Sequence, residues 1–355
     1  MRGIFMGMAI MIVVWVVALP AQQQTEEKMT PEGFGISAKY PGDVGIEKDE
    51  DVVFVENFET GGIGDFKSRW DNVSNKDGKV MSFSEGVPEA SSGNRSLAMT
   101  ATRGENSGGH LFKVFKPGHD RLYARFYVKF APDYGFNHHF VKLQGAIDPP
   151  PYPMGGAGSK PVNSWTTGIE PTGTSHHQYP ATSFPPPGIW HFYTYWVEMR
   201  SWQGPDGTSF YGNNFEPKES TIIPRDQWIC VEFSVKMNSS PEKSDGEQTF
   251  WIDGKRVGHF APGSAIGYWM RDKFRLDETD ERAKAFEGFR WRNDMRLNVN
   301  KLWLLHYISE NVFKKNDEYA AEHPDFLINT NMATVWFDDI VVARRYVGPI
   351  RKEEK

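Results

Sequence analysis

Period-two alternation recurs along this chain, and it is the pattern that most narrows the fold. Residues 122–130 show it most clearly. Side chains i and i+2 on a strand share a face. Phe126, Val128 and Phe130 therefore fall on one face, and Arg125, Tyr127 and Lys129 on the other. Residues 138–145 continue the pattern, with Val141 and Leu143 opposite His138, Phe140, Lys142 and Gln144. Runs at 51–59, 96–102, 190–200, 228–237, 248–252, 255–260, 296–307 and 334–343 also read as strands. Asp253-Gly254, between two of them, is a strong hairpin signal. Residues 110–115 are expected to pair with 96–102 across a Gly-rich loop. Only 277–288 and 311–322 have helical composition. Each strand has one apolar face to bury against another layer. The expected fold is all-β: a two-sheet antiparallel β-sandwich, a jelly roll with a few short helices.

The 355 residues suffice for one large all-β domain or two small ones, and no internal repeat divides them. Residues 1–21 read as a signal peptide: Arg2, an apolar run over 10–17, then small residues through Ala21 for cleavage. The run is short for a membrane span. The mature chain is expected to be exported, periplasmic or extracellular, with no stable membrane span after cleavage. Residues 22–50 read as a loose linker. A jelly-roll domain is expected over 51–348, with a Pro-, Gly-, Ser- and His-rich insertion at 146–190 and a tail at 349–355. Within the insertion 164–170 reads as one short strand, and His176-His177 as a solvated loop pair.

Several functions are excluded. A net charge of -6 argues against nucleic acid. Cys230 is the only cysteine, so there is no intrachain disulfide and no Cys-based zinc cluster. No nucleophile elbow, His-Glu-x-x-His motif or phosphate loop is present. The compact Glu-x-Asp-x-Glu spacing of many jelly-roll glucanases is missing. What remains is the polar face of 122–130 and 138–145. Adjacent rows of Arg, Tyr, Lys, His and Gln suit a groove that grips a polyanionic sugar, or equally an ordinary polar sheet face. The 12 Trp, 13 Tyr and 25 Phe suit both a sandwich core and sugar-stacking platforms.

Two resemblances sharpen this. Residues 228–237 followed by Phe250-Trp251-Ile252-Asp253-Gly254-Lys255 resemble a run common to concanavalin A-like and laminin-G-like domains. Arg125-Phe126-Tyr127-Val128-Lys129-Phe130, then Lys142-Leu143-Gln144-Gly145, then Tyr193-Thr194-Tyr195, is similar in order to the alginate and glucuronate lyases of polysaccharide lyase family 14. Those have a YWVKF strand, a GGKLPG strand with an essential Lys, and a YxY strand with essential tyrosines. The resemblance implies a polysaccharide lyase in which Lys142 matches the Lys, and Tyr193 and Tyr195 the tyrosines. The chain departs from the pattern at Gln144, where the family has Pro, and at His138-His139, where it has glycines. The family's Arg on the intervening strand is also missing: 165–170 offers Thr167 and Glu170.

Such a lyase breaks a uronate polymer by β-elimination. A proton leaves the carbon next to the carboxylate, and the glycosidic oxygen departs. The carboxylate must be neutralised, a base must take the proton, and an acid must support the leaving oxygen. Lys142, His138 and Gln144 share a face and are assigned to the carboxylate, with Arg125, Tyr127 and Lys129 as further substrate-binding residues. Tyr193 and Tyr195 are assigned as base or acid. An unperturbed Tyr, with a pKa of about 10, is a poor base at neutral pH, and Lys142 nearby would favour tyrosinate. His139 is the alternative base, although its parity puts it with Val141 and Leu143 in the core.

The expected partner is an acidic polysaccharide, and the expected state a monomer. No cofactor is required. Glu59 with Asp338 and Asp339 are candidate oxygen ligands for a structural calcium ion, or carboxylates in ordinary hydrogen bonds. Two other readings of the whole chain stand beside the lyase. One is a non-catalytic carbohydrate-binding or adhesion module on the same fold. The other is a structural envelope protein.

Overall fold

The computed structural model describes residues 35–175, 182–200, 209–219 and 221–352. The signal segment, residues 22–34 of the linker and His176-His177 lie outside the described residues. No helix of the described residues is long and apolar enough to cross a membrane.

The alternating runs form two large sheets. The smaller runs in the order Lys255–Phe260, Glu247–Ile252, Trp228–Lys236, Arg121–Phe130, Met332–Ala343, Ser96–Thr102 and Met81–Ser84, with Val52–Glu56 also paired to Met332–Ala343. The larger runs Lys284–Ala285, Ile266–Met270, Lys273–Leu276, Asn213–Glu216, Ile189–Tyr195, Ser164–Thr172, Lys142–Ala146, Val299–Tyr307, Gly108–His119 and Asn72–Ser74. All pairings are antiparallel except Asn213–Glu216 with Lys273–Leu276. The apolar faces meet in one aromatic-rich core. Phe126 and Phe337 of the smaller sheet pack on Phe140, at 6.3 and 5.3 Å between ring centroids, and Phe250 packs on Phe192 of the larger at 5.2 Å. Each fully buried ring of this kind contributes roughly 1.5–3 kcal/mol. The Asp253-Gly254 hairpin forms as expected, with φ 49° and 80° at the turn, the left-handed pair that matches strand twist.

The structure corrects three expectations and extends two. Residues 110–115 do not pair with 96–102. They belong to Gly108–His119 in the other sheet, beside Val299–Tyr307. Residues 277–288 form no helix, whereas Glu310–Glu322 does. The Asp277 and Asp280 carboxylates accept hydrogen bonds from the Thr279 and Arg282 amides, and such local side-chain bonds compete with helix. Phe286 and Phe289 then enter the core. The strand expected at 164–170 within the insertion forms, longer and central in its sheet, as Ser164–Thr172. The described part of the linker is docked: Ile36 and Ile46 pack with Val341, Ala343 and Val347. The tail is likewise tied down, its Ile350 amide donating to the Tyr127 hydroxyl at 2.9 Å.

The docked arm explains Arg125. Its side chain is fully buried and ion-paired with Asp43 of the arm. Glu232, across from Arg125 on the next strand, accepts the Val347 and Gly348 amides at 2.7 Å each. The outer face of the smaller sheet is therefore covered around Arg125 and Glu232. Removing one partner of a buried pair leaves the other charge uncompensated, at about 3–5 kcal/mol. Arg125→Met should lower unfolding free energy by about that much in chemical denaturation, whereas Lys129→Met should cost about 1 kcal/mol or less. Equal, small effects would place Arg125 at an open surface.

Candidate active site

The expected groove strands do not lie side by side. Arg121–Phe130 pairs with Trp228–Lys236 and Met332–Ala343 in the smaller sheet, while Lys142–Ala146 pairs with Ser164–Thr172 and Val299–Tyr307 in the larger. Alternation assigns faces within a strand but not the sheet it joins. Arg125, Tyr127 and Lys129 thus stand away from Lys142, across the core. Arg125 holds Asp43, and Tyr127 accepts from Ile350. Lys129 sits 5.6 and 4.8 Å over the Trp228 and Trp336 rings. None of the three joins the site, and their assignment to substrate is corrected.

The other residues do meet, on the face of the larger sheet turned away from the core. Residues directly across a ladder share a face. Lys142 is opposite Gly168, which is opposite Tyr193; Gln144 is opposite Thr166, which is opposite Tyr195. Leu143, Ile169 and Phe192, of the other parity, are in the core. On the far side of Lys142 is Trp303, with the Lys142 amine 5.6 Å from its ring.

Glu170 organises this face. Its Oε1 is 3.4 Å from Lys142 Nζ, and its two oxygens are 3.1 and 3.2 Å from His139 Nδ1. Gly168 makes this possible. A Cβ there would lie 2.9 Å from Glu170 Oε1 and 3.1 Å from Lys142 Cγ, so only glycine leaves room for the carboxylate to fold back over the strand. Burial alone would raise the Glu170 pKa, but His139 and Lys142 hold it at about 2. Glu170 is a carboxylate at neutral pH.

The tyrosines differ from expectation. Their hydroxyls are 3.3 Å apart. Burial, above all, pushes both phenols up, and for Tyr193 the neighbouring Tyr195 adds to it. They are proton donors at neutral pH, not tyrosinates. The cation expected to lower them, Lys142, is engaged by Glu170.

The histidines exchange places. Residues 138–141 precede the regular strand, so its parity does not govern them. His139 exchanges backbone hydrogen bonds with Tyr307, at 3.1 Å each way. Its ring stands over the sheet with 27% of the side chain exposed, 5.4 Å from the Tyr193 ring. The expected core position of His139 is corrected. His138 stacks on His139 at 4.3 Å. Burial first, then His139, lowers His138 to about 4. Neutral at pH 7, it would meet a substrate carboxylate as a hydrogen-bond donor rather than as a cation. Gln144 donates to Thr166 Oγ1 at 3.1 Å, and its Oε1 is buried without a partner. Sequence reading noted Glu170 only as a departure and missed its hub role. The signal was its parity with Gly168, two residues before it.

Glu59, Asp338 and Asp339 lie near the docked arm. The local backbone turns at Asp339 (φ 44°), where the ladder to Arg121–Phe130 is interrupted. Burial, first, raises both aspartates. The charge of Asp339 adds at Asp338, while Arg125 opposes the rise at Asp339. Each keeps one buried oxygen without a partner. Glu59 Oε1 instead accepts the Asn94 and Arg95 amides at 2.8 and 2.9 Å. Among the described residues no three His, Cys, Asp or Glu side chains converge as a metal-binding group.

Burial lowers His191, opposite Glu170, to about 4, as with His138. A base whose folded pKa lies below its unfolded value of about 6.5 binds fewer protons when folded. Its contribution to stability is complete above about pH 6.5 and is lost as pH falls through 4. Both rings should titrate near pH 4 by NMR, and a midpoint above 6 for either would contradict the burial seen here.

No family model matches the chain, and no curated protein matches it. Solved structures do. A marine PL-14 alginate lyase from Aplysia kurodai superposes at TM-score 0.51 and 13% identity, covering 82% of this chain and 99% of that one. An alginate lyase from Chlorella virus gives TM-score 0.47 at 11% identity, covering 81% and 100%. An endo-β-1,4-glucuronan lyase from the fungus Trichoderma reesei gives 0.42 at 15%, covering 82% and 95%. At these identities the likeness is one of fold: this chain is a two-sheet β-sandwich of the jelly-roll type, and the remote resemblance to polysaccharide lyase family 14 stands at that level.

Proposed function

We propose that the outer face of the larger sheet is the active site of an exported polysaccharide lyase that cleaves a uronate-containing glycan by β-elimination. The observation that carries this reading is the assembly of Lys142, His139, Glu170, Tyr193 and Tyr195 on one face. Glu170 accepts a hydrogen bond from the Nδ1–H of His139 and so leaves the Nε2 lone pair free as general base. His139 takes the proton from the carbon beside the carboxylate. Lys142 and the Gln144 amide stabilise the charge that moves onto the carboxylate. Tyr193 or Tyr195, kept protonated, donates to the departing glycosidic oxygen, and a carbon–carbon double bond forms in the sugar left behind.

A second reading, a non-catalytic carbohydrate-binding module on the same fold, is favoured by one observation: Glu170 already neutralises Lys142, so its charge is shared before any substrate arrives. Fold does not choose between the two. Ultraviolet absorbance of the unsaturated uronate does. Wild-type protein incubated with alginate, glucuronan, pectate and glycosaminoglycans should produce it from at least one polymer. His139→Ala, Lys142→Ala and the double change of Tyr193 and Tyr195 to Phe should each lower kcat by about 10²–10⁴-fold. A flat wild-type trace with saturable binding would establish the module instead.

A structural calcium ion at Asp338 and Asp339, which Glu59 would join only by leaving the Asn94 and Arg95 amides, belongs to the same proposal. The two orphaned carboxylate oxygens are hard donors that suit it. A ligand that binds only the folded state stabilises by about 2.7 kcal/mol at a hundredfold excess over Kd. Thermal unfolding should shift upward in calcium and downward in chelator, and Asp339→Asn should abolish the difference. No shift in either would remove the ion from the proposal.

A further inference from the structure

Lys142 shares its charge with Glu170, but a second lysine on this face has no such partner. Lys301 lies directly across from Gln144 on the adjoining strand. Its neighbours Leu302 and Leu304 point into the core, so Lys301 and Trp303 share the outer face with Lys142 and Gln144. The residue is 2% exposed. Among the described residues its amine has neither a hydrogen bond nor an ion pair, and burial lowers it to about 8. Two polar atoms at the neighbouring positions, Gln144 Oε1 and Trp303 Nε1, are buried without partners. A largely desolvated ammonium without a counter-ion is disfavoured until an anion reaches it. An ammonium without a partner beside two buried orphaned polar atoms marks a place where an incoming ligand supplies what the fold does not.

We propose that Lys301 is a carboxylate-binding residue of this face, taking the carboxylate of the sugar next to the one at Lys142, with Gln144 Oε1 accepting from a sugar hydroxyl and Trp303 Nε1 donating to one. Lys142 and Lys301 are diagonal neighbours on adjoining strands, a separation of about 7–8 Å at the backbone, so the two amines address successive sugars. The chemistry required is an anionic glycan with acidic groups on neighbouring residues. A neutral glycan would leave the Lys301 charge buried and unpaired. This inference rests on the reading of the face as a uronate site.

The test compares wild type, Lys301→Met and Lys301→Arg, using defined oligouronates and a neutral oligosaccharide of equal length, with thermal unfolding of each protein alongside. Lys301→Met should raise KM, or Kd if no product forms, at least about tenfold for oligouronates, the scale of one charged hydrogen bond, with a smaller change in kcat. Its Tm should stay level or rise, because an unpaired buried charge has gone. Lys301→Arg should recover most of the affinity. Unchanged oligouronate affinity in Lys301→Met would overturn the inference while leaving the site intact. So would a loss of affinity that tracks a fall in Tm and that Arg does not restore, which would mark Lys301 as structural. Wild-type protein that neither binds nor cleaves any oligouronate would overturn the uronate site itself, and the inference with it.

Discussion

Everything in this molecule depends on two sheets burying one face each against the other. Alternation supplies the faces: Phe126, Val128 and Phe130 on one strand and Leu143, Ile169 and Phe192 on three others all turn inward. Once they do, the polar residues between them must turn outward, in rows set by strand register. Lys142, Gln144, Thr166, Glu170, Tyr193 and Tyr195 share a surface because their apolar neighbours share a core. The site is the reverse side of the packing.

The two outward faces have opposite fates. On the smaller sheet, the arm over 35–50 and the segment after Ala343 lie across the polar row, and Arg125 and Glu232 become the charged anchors of that cover. On the larger sheet, Glu170 gathers Lys142 and His139 around one carboxylate. One ion pair fastens the arm to its sheet, while the other draws an imidazole and an ammonium to one carboxylate beside two phenols. The same residue types fasten the arm on one side and gather around a single carboxylate on the other.

The electrostatics of the larger sheet's face are not those expected of a plain anion-binding surface. Burial raises the tyrosines and lowers His138 and His191, so both phenols and both imidazoles are held neutral well beyond neutral pH on either side. Low dielectric favours neutral forms unless a specific partner opposes it, and here Glu170 is held ionised by His139 and Lys142. Proton donors and a carboxylate-oriented imidazole, rather than a tyrosinate, follow from that.

By itself the sequence determined the sandwich class, the Asp253-Gly254 hairpin, the Glu310–Glu322 helix to within a residue, and the parities that keep Lys142 with Gln144 and Tyr193 with Tyr195. These depend on local periodicity and turn chemistry, which a single strand or turn displays. Only the tertiary structure decided that Arg121–Phe130 and Lys142–Ala146 belong to different sheets, that Arg125 is an anchor, that His139 rather than His138 faces Glu170, and that the tyrosines stay protonated. Each of these depends on partners far apart in the chain: Asp43 for Arg125, Glu170 for His139 and Lys142, the closing strands for the burial of Tyr193. Periodicity says which way a side chain points. Only the assembled sheets decide what it points at and how much water remains there.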